Sequence, residues 1–101
     1  MDRQLLLNLS NQVFDFPPNP FNHYHKMRGE WRENKCWMLY EALKIGIFNY
    51  QIVSEINLIT YHNRLHEIRT YLDNYENSKF YLPWGERVDD AMWWKFEKVA
   101  A

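Results

Sequence analysis

The chain is poor in the residues that build many kinds of functional site. Its 101 residues include three glycines and one cysteine, Cys36. A single cysteine excludes an internal disulfide, argues against a structural zinc site and is typical of a reducing compartment. With no base in view, Cys36 is expected to be buried rather than nucleophilic. Scarce glycine disfavours backbone cradles for phosphate. No Ser-His-Asp, paired-carboxylate or Gly-rich loop pattern is visible, so we expect no enzyme, no cofactor and no small-molecule substrate.

Long apolar runs and an excess of positive charge are also missing. The start, MDRQLLLNLSNQVF, holds a short apolar run that Asn8 and Ser10 interrupt. We therefore expect no membrane span, no signal peptide and a cytoplasmic location. The 12 Lys and Arg are balanced by 13 Asp and Glu. Because neutralising phosphates supplies most non-specific affinity for DNA, this balance counts against strong DNA binding unless cations gather on one face.

Aromatic residues, by contrast, are abundant, at 18% of the chain. Rings bury large areas, so a small core can be built from few residues, and exposed Trp or Tyr favours an interface. Residues 1–29 are predicted to form an N-terminal extension, a short helix followed by an extended segment. Three prolines in DFPPNPFN exclude a helix there. This segment is either a strap over the core or an arm that docks a partner.

Residues 30–101 are predicted to form a domain of three helices and a C-terminal hairpin. The first helix should begin near Glu30 and stop at Gly46. The second should begin with Asn49 as its N-cap, and the third should run from Thr60 to Asn74. An apolar stripe marks the third helix at spacings of four, three and four, formed by Tyr61, Leu65, Ile68 and Leu72.

The last section is predicted to be a β-hairpin. KFYL is the first expected strand, PWGERVDD the turn and AMWWKFEKV the second strand. In the second strand Met92, Trp94 and Phe96 alternate with their neighbours, which is the period of a strand. A C-terminal helix beginning at Asp90 is the alternative interpretation.

Three helices followed by a hairpin is the order of a winged helix-turn-helix. Within it, GIFNYQIVSEINLITYHNRLHEIR resembles the short helix-turn-helix proteins of bacteriophages and prophages. Their pattern runs roughly x-I-T-S-x-E-A-I-x-x-L-G-I-T-R-x-A-A-R-I-x-E-L-R. Ile47 opens the pattern, Asn57 stands at the turn glycine, and Arg64 and Arg69 match its arginines. The resemblance implies DNA binding in transcription regulation, excision or replication, in the cytoplasm of a phage host.

The outward face of the third helix is the candidate DNA-binding surface. Asn, Arg and His side chains can donate to base edges or phosphates in a major groove, and cations of the wing can meet the backbone. The candidate DNA-binding residues are Asn49, Thr60, His62, Asn63, Arg64, His66, Arg69, Lys79 and Arg87. A solvated helix face, or one that contacts protein, is the alternative.

A second hypothesis uses the same fold to bind protein. The partner would be a host defence or transcription complex, antagonised by a phage protein, or a second copy in a homodimer. Balanced charge, surplus Trp and the N-terminal extension motivate it. The candidate interface residues are Phe14, Phe16, Phe21, Trp84 and Trp93. A metal site built from His62 and His66, with His23 and His25, is a weaker interpretation than exposed histidines, so no metal is predicted.

Overall fold

Three helices and seven short strands build the part of the chain that this computed structural model describes, residues 16–99. The helices are α1 (Lys35–Ile45), α2 (Asn49–Ser54) and α3 (Tyr61–Asn74). The strands are β1 (Tyr24–Met27), β2 (Glu30–Glu33), β3 (Ile47–Phe48), β4 (Phe80–Tyr81), β5 (Glu86–Val88), β6 (Ala91–Trp94) and β7 (Glu97–Lys98). The predicted combination of three helices with antiparallel strands in an α+β fold is therefore present. The predicted helix near the N-terminus and Phe14 lie outside the described residues.

The first helix starts later than predicted, because a hairpin precedes it. Strands β1 and β2 pair antiparallel and turn at Arg28 and Gly29, both of which have positive φ. Glycine adopts such angles freely, and this fixes a tight turn where a helix start was expected. The predicted boundary between residues 1–29 and 30–101 falls at this turn. Helix α1 begins after Asn34, whose side chain accepts a hydrogen bond from the Cys36 N–H at 3.0 Å.

Helix α1 ends at Gly46, as predicted, and the reason is both conformational and steric. Gly46 has φ +110°, which side chains rarely adopt. A Cβ at this position would lie 2.0 Å from the indole ring of Trp93. The glycine therefore both stops the helix and lets the ring of β6 pack against the backbone.

The N-cap prediction for Asn49 is wrong. Phe48 occupies that position, and its N–H donates to Oε1 of Gln51 at 2.9 Å. The Asn49 side chain instead accepts from the Met92 N–H at 3.0 Å, which ties α2 to β6. The turn after α2 follows the prediction, since Asn57 has φ +60°, a left-handed conformation that Asn tolerates better than most residues.

The predicted stripe of α3 packs into the core. Leu65, Ile68 and Leu72 are buried and Tyr61 is half-buried. They meet the fully buried side chains of α1, among them Leu39, Tyr40 and Leu43. The helix ends at Asn74, as predicted. Burying this stripe fixes the rotation of α3 and so decides which side chains face outward.

The predicted C-terminal hairpin is present, but the bounds of its strands differ from the prediction. β5 lies inside the segment predicted as a turn and pairs with β6, with Arg87 opposite Met92. The true turn is at Asp89, whose φ is +56°; Asp, like Asn, is one of the few residues that tolerate this conformation. The short strand β3 pairs with the other edge of β6, which gives the order β3-β6-β5. These pairings contradict a C-terminal helix.

The predicted strand KFYL contributes β4, but to a different sheet. β4 pairs antiparallel with β7, with Phe80 opposite Lys98, in a two-stranded sheet separate from the first. The second predicted strand is therefore two strands, β6 and β7, with a break at Lys95 and Phe96. Phe96 is buried, and its N–H donates to the Leu43 carbonyl of α1 at 2.9 Å rather than to a strand.

The proline-rich segment, residues 16–21, lies across the helices as a strap. The Tyr40 hydroxyl donates to the Pro17 carbonyl at 2.7 Å, and the Tyr71 hydroxyl donates to the Pro18 carbonyl. Phe16 and Phe21 are partly buried and pack against the core. Burial raises the pKa of Tyr40, so its hydroxyl stays protonated as a donor. Across residues 16–99, no helix combines the length and apolar character that a membrane crossing requires.

Candidate nucleic-acid interface

The first turns of α3 carry four exposed candidate residues. Thr60, His62, Asn63 and His66 are all exposed, because the apolar stripe of the helix faces the core on the opposite side. Thr60 precedes the first turn, and its side chain makes no capping hydrogen bond. Hydroxyl, amide and imidazole groups are the chemistry that reads base edges and phosphates. These four predicted residues are thus brought together on one surface.

Arg64 lies on one flank of this surface and is paired within the helix. Its Nη2 is 3.0 Å from Oε1 of Glu67, one turn along α3. Both side chains are partly exposed, at 38% and 45%. Exposed pairs of this kind contribute about 0–1 kcal/mol. Arg64 can therefore exchange the Glu67 carboxylate for another anion at low cost.

Arg69 lies on the opposite flank, where it is engaged in holding a loop. Its Nε donates to the Leu82 carbonyl at 2.9 Å and its Nη2 to the Pro83 carbonyl at 3.3 Å. The guanidinium carbon lies 4.4 Å from the centre of the Trp84 ring, a cation–π contact. The sequence predicted an outward arginine free for recognition. The structure gives it instead a part-buried position between α3 and the loop before β5.

The two cations predicted for the wing, Lys79 and Arg87, lie on elements other than α3. Lys79 lies next to Tyr75 and Glu76, beyond the C-terminal end of α3, whereas Thr60 is at the other end. The fourteen residues of α3 span roughly 20 Å. Arg87 is exposed on β5 and its Nη2 is 3.9 Å from Oδ1 of Asp90. Asn49, already bonded to β6, is half-buried and serves the fold.

A surface that the sequence analysis missed lies on the Arg64 flank. An open cleft of about 450 Å³ separates the β1–β2 hairpin from the start of α3. Lys35, at the start of α1, lines it and donates from Nζ to the Asn57 carbonyl at 2.8 Å. The other lining residues are His25, Met27, Arg32, Glu33, Asn34, Cys36, Leu58, Thr60 and Arg64. The available signal was the HYHKMRGEWR stretch, where a Gly-containing turn separates two short segments of strand-compatible residues.

Cys36 is buried at this cleft, and its thiol has a raised pKa. Burial raises the pKa of the thiol to about 11, and the Glu67 carboxylate adds to the rise while Arg64 opposes it. A thiol with such a pKa is protonated at neutral pH and a poor nucleophile. The prediction that Cys36 is buried is confirmed. The raised pKa is consistent with the prediction that its thiol is not a nucleophile.

The predicted protein-interface residues divide into two groups. Trp84 is 80% exposed and covers the Arg69 guanidinium. Trp93 is half-buried, with its ring against Gly46 and edge-on to Phe48 at 4.7 Å. Phe16 and Phe21 belong to the strap and pack inward. Of the described members of this set, only Trp84 is presented to solvent.

Two of the four histidines, His23 and His62, pack against aromatic rings. His62 packs beside Tyr61 at 4.3 Å and lies 6.3 Å from the ring of Trp94. His23 stacks on Trp37 at 3.5 Å. Within the described part of the chain, no group of three or more His, Cys, Asp or Glu side chains is placed to hold a metal ion.

Comparison with protein-family models, with curated proteins and with solved structures finds no match to this chain. The geometry of residues 16–99 and the sequence resemblance of the helix-turn-helix segment therefore carry the functional argument.

Proposed function

We propose that the chain is a winged helix-turn-helix protein of the phage type that binds double-stranded DNA. In this proposal the first turns of α3 enter the major groove, and Thr60, His62, Asn63 and His66 meet base edges or phosphates. Arg64 leaves its pair with Glu67 to meet the backbone. The biological role would be gene control, excision or replication in the cytoplasm of a host cell.

The observation that carries the proposal is the three-stranded sheet β3-β6-β5, which joins the C-terminal hairpin to the segment between α1 and α2. The chain runs helix, short strand, two helices and hairpin, and β3 pairs with β6 of that hairpin. Such pairing joins the hairpin to β3 and α2, and the Trp94 ring lies 6.3 Å from that of His62 on α3, which supports the interpretation of this hairpin as a wing. The turn between α2 and α3 has the left-handed Asn57 at the position of the family glycine. Both features support a helix-turn-helix whose second helix is presented to solvent.

The exposed face of α3 has suitable chemistry only over residues 60–66. These positions include no carboxylate, whereas Glu67 and Asp73 follow further along. Carboxylates near phosphate are repelled, so the helix would enter the groove by its N-terminal end. This orientation also directs the positive end of the helix dipole toward the DNA.

The test is binding of a fluorescent mixed-sequence duplex across a salt series, followed by selection of preferred sites from a random pool. We expect binding that weakens with salt, as phosphate contacts require. Asn63→Ala should relax base preference at one position, with a loss of about 1–3 kcal/mol on the selected site. Lys98→Ala, an exposed cation in the sheet at the far end of α3, is the control and should bind as wild type. Absence of duplex binding at low salt would refute the proposal.

The second candidate function is protein binding, and the exposed Trp84 favours it. Two backbone carbonyls hold the Arg69 guanidinium, and the Trp84 ring lies over it. This arrangement is a pre-ordered apolar surface of the kind found at hot spots. Partners would be a host defence or transcription complex, or a second copy of the chain. Co-purification from nuclease-treated host lysate with wild type and Trp84→Ala tests it. A partner lost with Trp84→Ala supports this candidate, and recovery of nucleic acid alone rejects it.

A further inference from the structure

We propose that the β1–β2 hairpin is a second DNA-contacting arm. One strand of the duplex backbone would run in the cleft between this hairpin and α3, against Arg32, Lys35 and Arg64. This inference rests on the proposed function, because it takes α3 as the helix in the groove. It deepens that function by assigning the main backbone contacts to a part of the chain outside the helix-turn-helix and the C-terminal hairpin.

The first observation is position. The cleft is lined on one side by His25 and Arg32 of the hairpin and on the other by Thr60 and Arg64 of α3. The C-terminal hairpin approaches α3 from the opposite flank, where Trp94 of β6 lies 6.3 Å from His62. The start of α3 therefore lies between two hairpins. A duplex that receives this helix in its major groove presents a phosphate strand on each side, one toward each hairpin.

The second observation is charge. Residues 24–33 hold three cations, Lys26, Arg28 and Arg32, against two carboxylates, a net charge of +1. Residues 86–94, the C-terminal hairpin, hold one cation against three carboxylates, a net charge of −2. A polyanion would therefore be drawn toward the N-terminal hairpin and repelled by the other. The sequence resemblance predicts the reverse emphasis, since it places backbone contact in the C-terminal wing.

The third observation is how the cations are held. Arg32 is 3.1 Å from Glu30, Arg64 is 3.0 Å from Glu67, and Lys35 donates to a backbone carbonyl. All of these contacts are solvent-exposed or partly so, and each is weak enough for a phosphate to replace it. Glu33 is the carboxylate among the lining residues of the cleft. Its Oε1 lies 3.4 Å from Nε2 of His23. The cleft is thus lined by three cations and one carboxylate, and two of the cations pair with Glu30 and Glu67.

The fourth observation concerns the outer face of the hairpin. Side chains alternate along a strand, so the pair Lys26 and Trp31 faces away from the pair His25 and Arg32. Trp31 is 70% exposed and Tyr24 is 51% exposed. Arg28 stands at the tip with φ +52°. Basic and aromatic side chains on an exposed hairpin can extend the contact along a sugar-phosphate strand.

The experiment compares two double variants. One combines Arg32→Gln with Lys35→Gln at the cleft, and the other combines Lys79→Gln with Lys98→Gln beyond the C-terminal end of α3. Both double variants remove two positive charges, but only the first changes the cleft. Glutamine removes the positive charge but keeps a polar amide donor on a shorter side chain. Equal melting temperatures for wild type and both variants are required, and single variants replace any double variant that melts early. The readouts are affinity for a mixed-sequence duplex across a salt series and a hydroxyl-radical footprint on the selected site.

For the cleft variant we expect affinity to fall by about tenfold and the slope of log K against log salt to lose about two units. The footprint should lose protection on one side, while the control variant keeps both slope and footprint. Wild-type binding with an unchanged slope and footprint in the cleft variant would overturn this inference alone. Equal losses in both variants would also overturn it, because the effect would then be one of total charge. No duplex binding by wild type overturns the proposed function together with it.

Discussion

The two hairpins that flank α3 have the same backbone pairing and opposite relations to the core. The β1–β2 hairpin has seven of its eight strand residues exposed, with burial confined to part of His25. In the β5–β6 hairpin, β6 is half-buried or buried along its length, and Trp94 and Asn49 tie it to α2 and β3. The first is a projecting arm attached at its base, and the second is packed against α2 and β3.

The difference shows which sequence changes each hairpin can accept. The buried residues of a hairpin fixed in the core are constrained by packing. Its exposed residues can carry negative charge without disturbing the fold. A projecting arm contributes little to the core, so its composition is free to follow whatever it contacts. The basic and aromatic residues of β1–β2 are thus better evidence for an interaction than the aromatic residues of β6, which packing already explains.

The largest expected effect comes from replacing one tryptophan in each hairpin with alanine. Trp94→Ala removes a side chain that is 4% exposed, whereas Trp31→Ala removes one that is 70% exposed. We expect the free energy of unfolding to fall by about 3–5 kcal/mol for Trp94→Ala, because a buried cavity is left. Trp31→Ala should change it by less than about 0.5 kcal/mol. Urea denaturation followed by circular dichroism measures both, and equal losses would contradict the division into core hairpin and arm.

A milder variant keeps this test informative if Trp94→Ala fails to fold. Nε1 of Trp94 is buried without a hydrogen-bond partner among residues 16–99. Trp94→Phe removes that unsatisfied donor together with part of the ring. We expect a loss below about 2 kcal/mol, since relief of the buried donor offsets part of the lost packing. A loss as large as that expected for the alanine variant would mean that the indole N–H has a partner in solution.

The parts of the fold with strong local signals were predictable from the sequence. The stripe of α3, the stop at Gly46 and the left-handed Asn57 each follow from spacing or from one residue's conformational range. The turns of both hairpins were harder to predict, because they place Arg28 and Asp89 at positive φ and neither residue is the strongest turn former. Pairing partners of strands two to four residues long depend on the tertiary packing around them, so the sequence did not specify β3 and β7.

The candidate site was predictable only where the helix alone decides exposure. His62, Asn63 and His66 are outward because the stripe of α3 is buried. The clamp of Arg69 on the carbonyls of Leu82 and Pro83 joins residues 13 and 14 positions apart, which periodicity cannot foresee. The basic cleft joins segments more distant still, so helix and strand patterns give no sign of it.

The second test asks whether the Cys36 thiol stays buried in solution. Burial raises the pKa of the Cys36 thiol from its usual 9.0 to about 11. A raised pKa means that the folded state favours the protonated thiol, so this stabilisation is fully present below about pH 9. It is lost as the pH rises through about 11, by on the order of 2 kcal/mol. Urea denaturation from about pH 8 to about pH 11 measures the fall.

Cys36→Ala is the matched control for this profile. Tyr40 also has a burial-raised pKa, so wild type loses stability at high pH for two reasons, and the difference between the two proteins isolates the thiol. We expect the alanine variant to fall less steeply and wild-type Cys36 to react slowly with thiol reagents at neutral pH. Parallel profiles with rapid labelling would mean that the Cys36 thiol is accessible to water in solution.

The smallest expected effect is at the joint between the arm and α1. Asn34 accepts the Cys36 N–H through its side chain at 3.0 Å and donates its own N–H to the His23 carbonyl at 2.8 Å. Asn34→Ala should lower the free energy of unfolding by about 1 kcal/mol, because one orphan N–H of the helix loses its acceptor. Asn34→Ser retains a capping oxygen and should cost a few tenths at most. Thr60→Ala, at a helix start whose side chain makes no capping bond, should cost less than Asn34→Ala. Thermal unfolding of the three variants measures this order, and a Thr60→Ala loss equal to that of Asn34→Ala would show that the threonine caps α3 in solution.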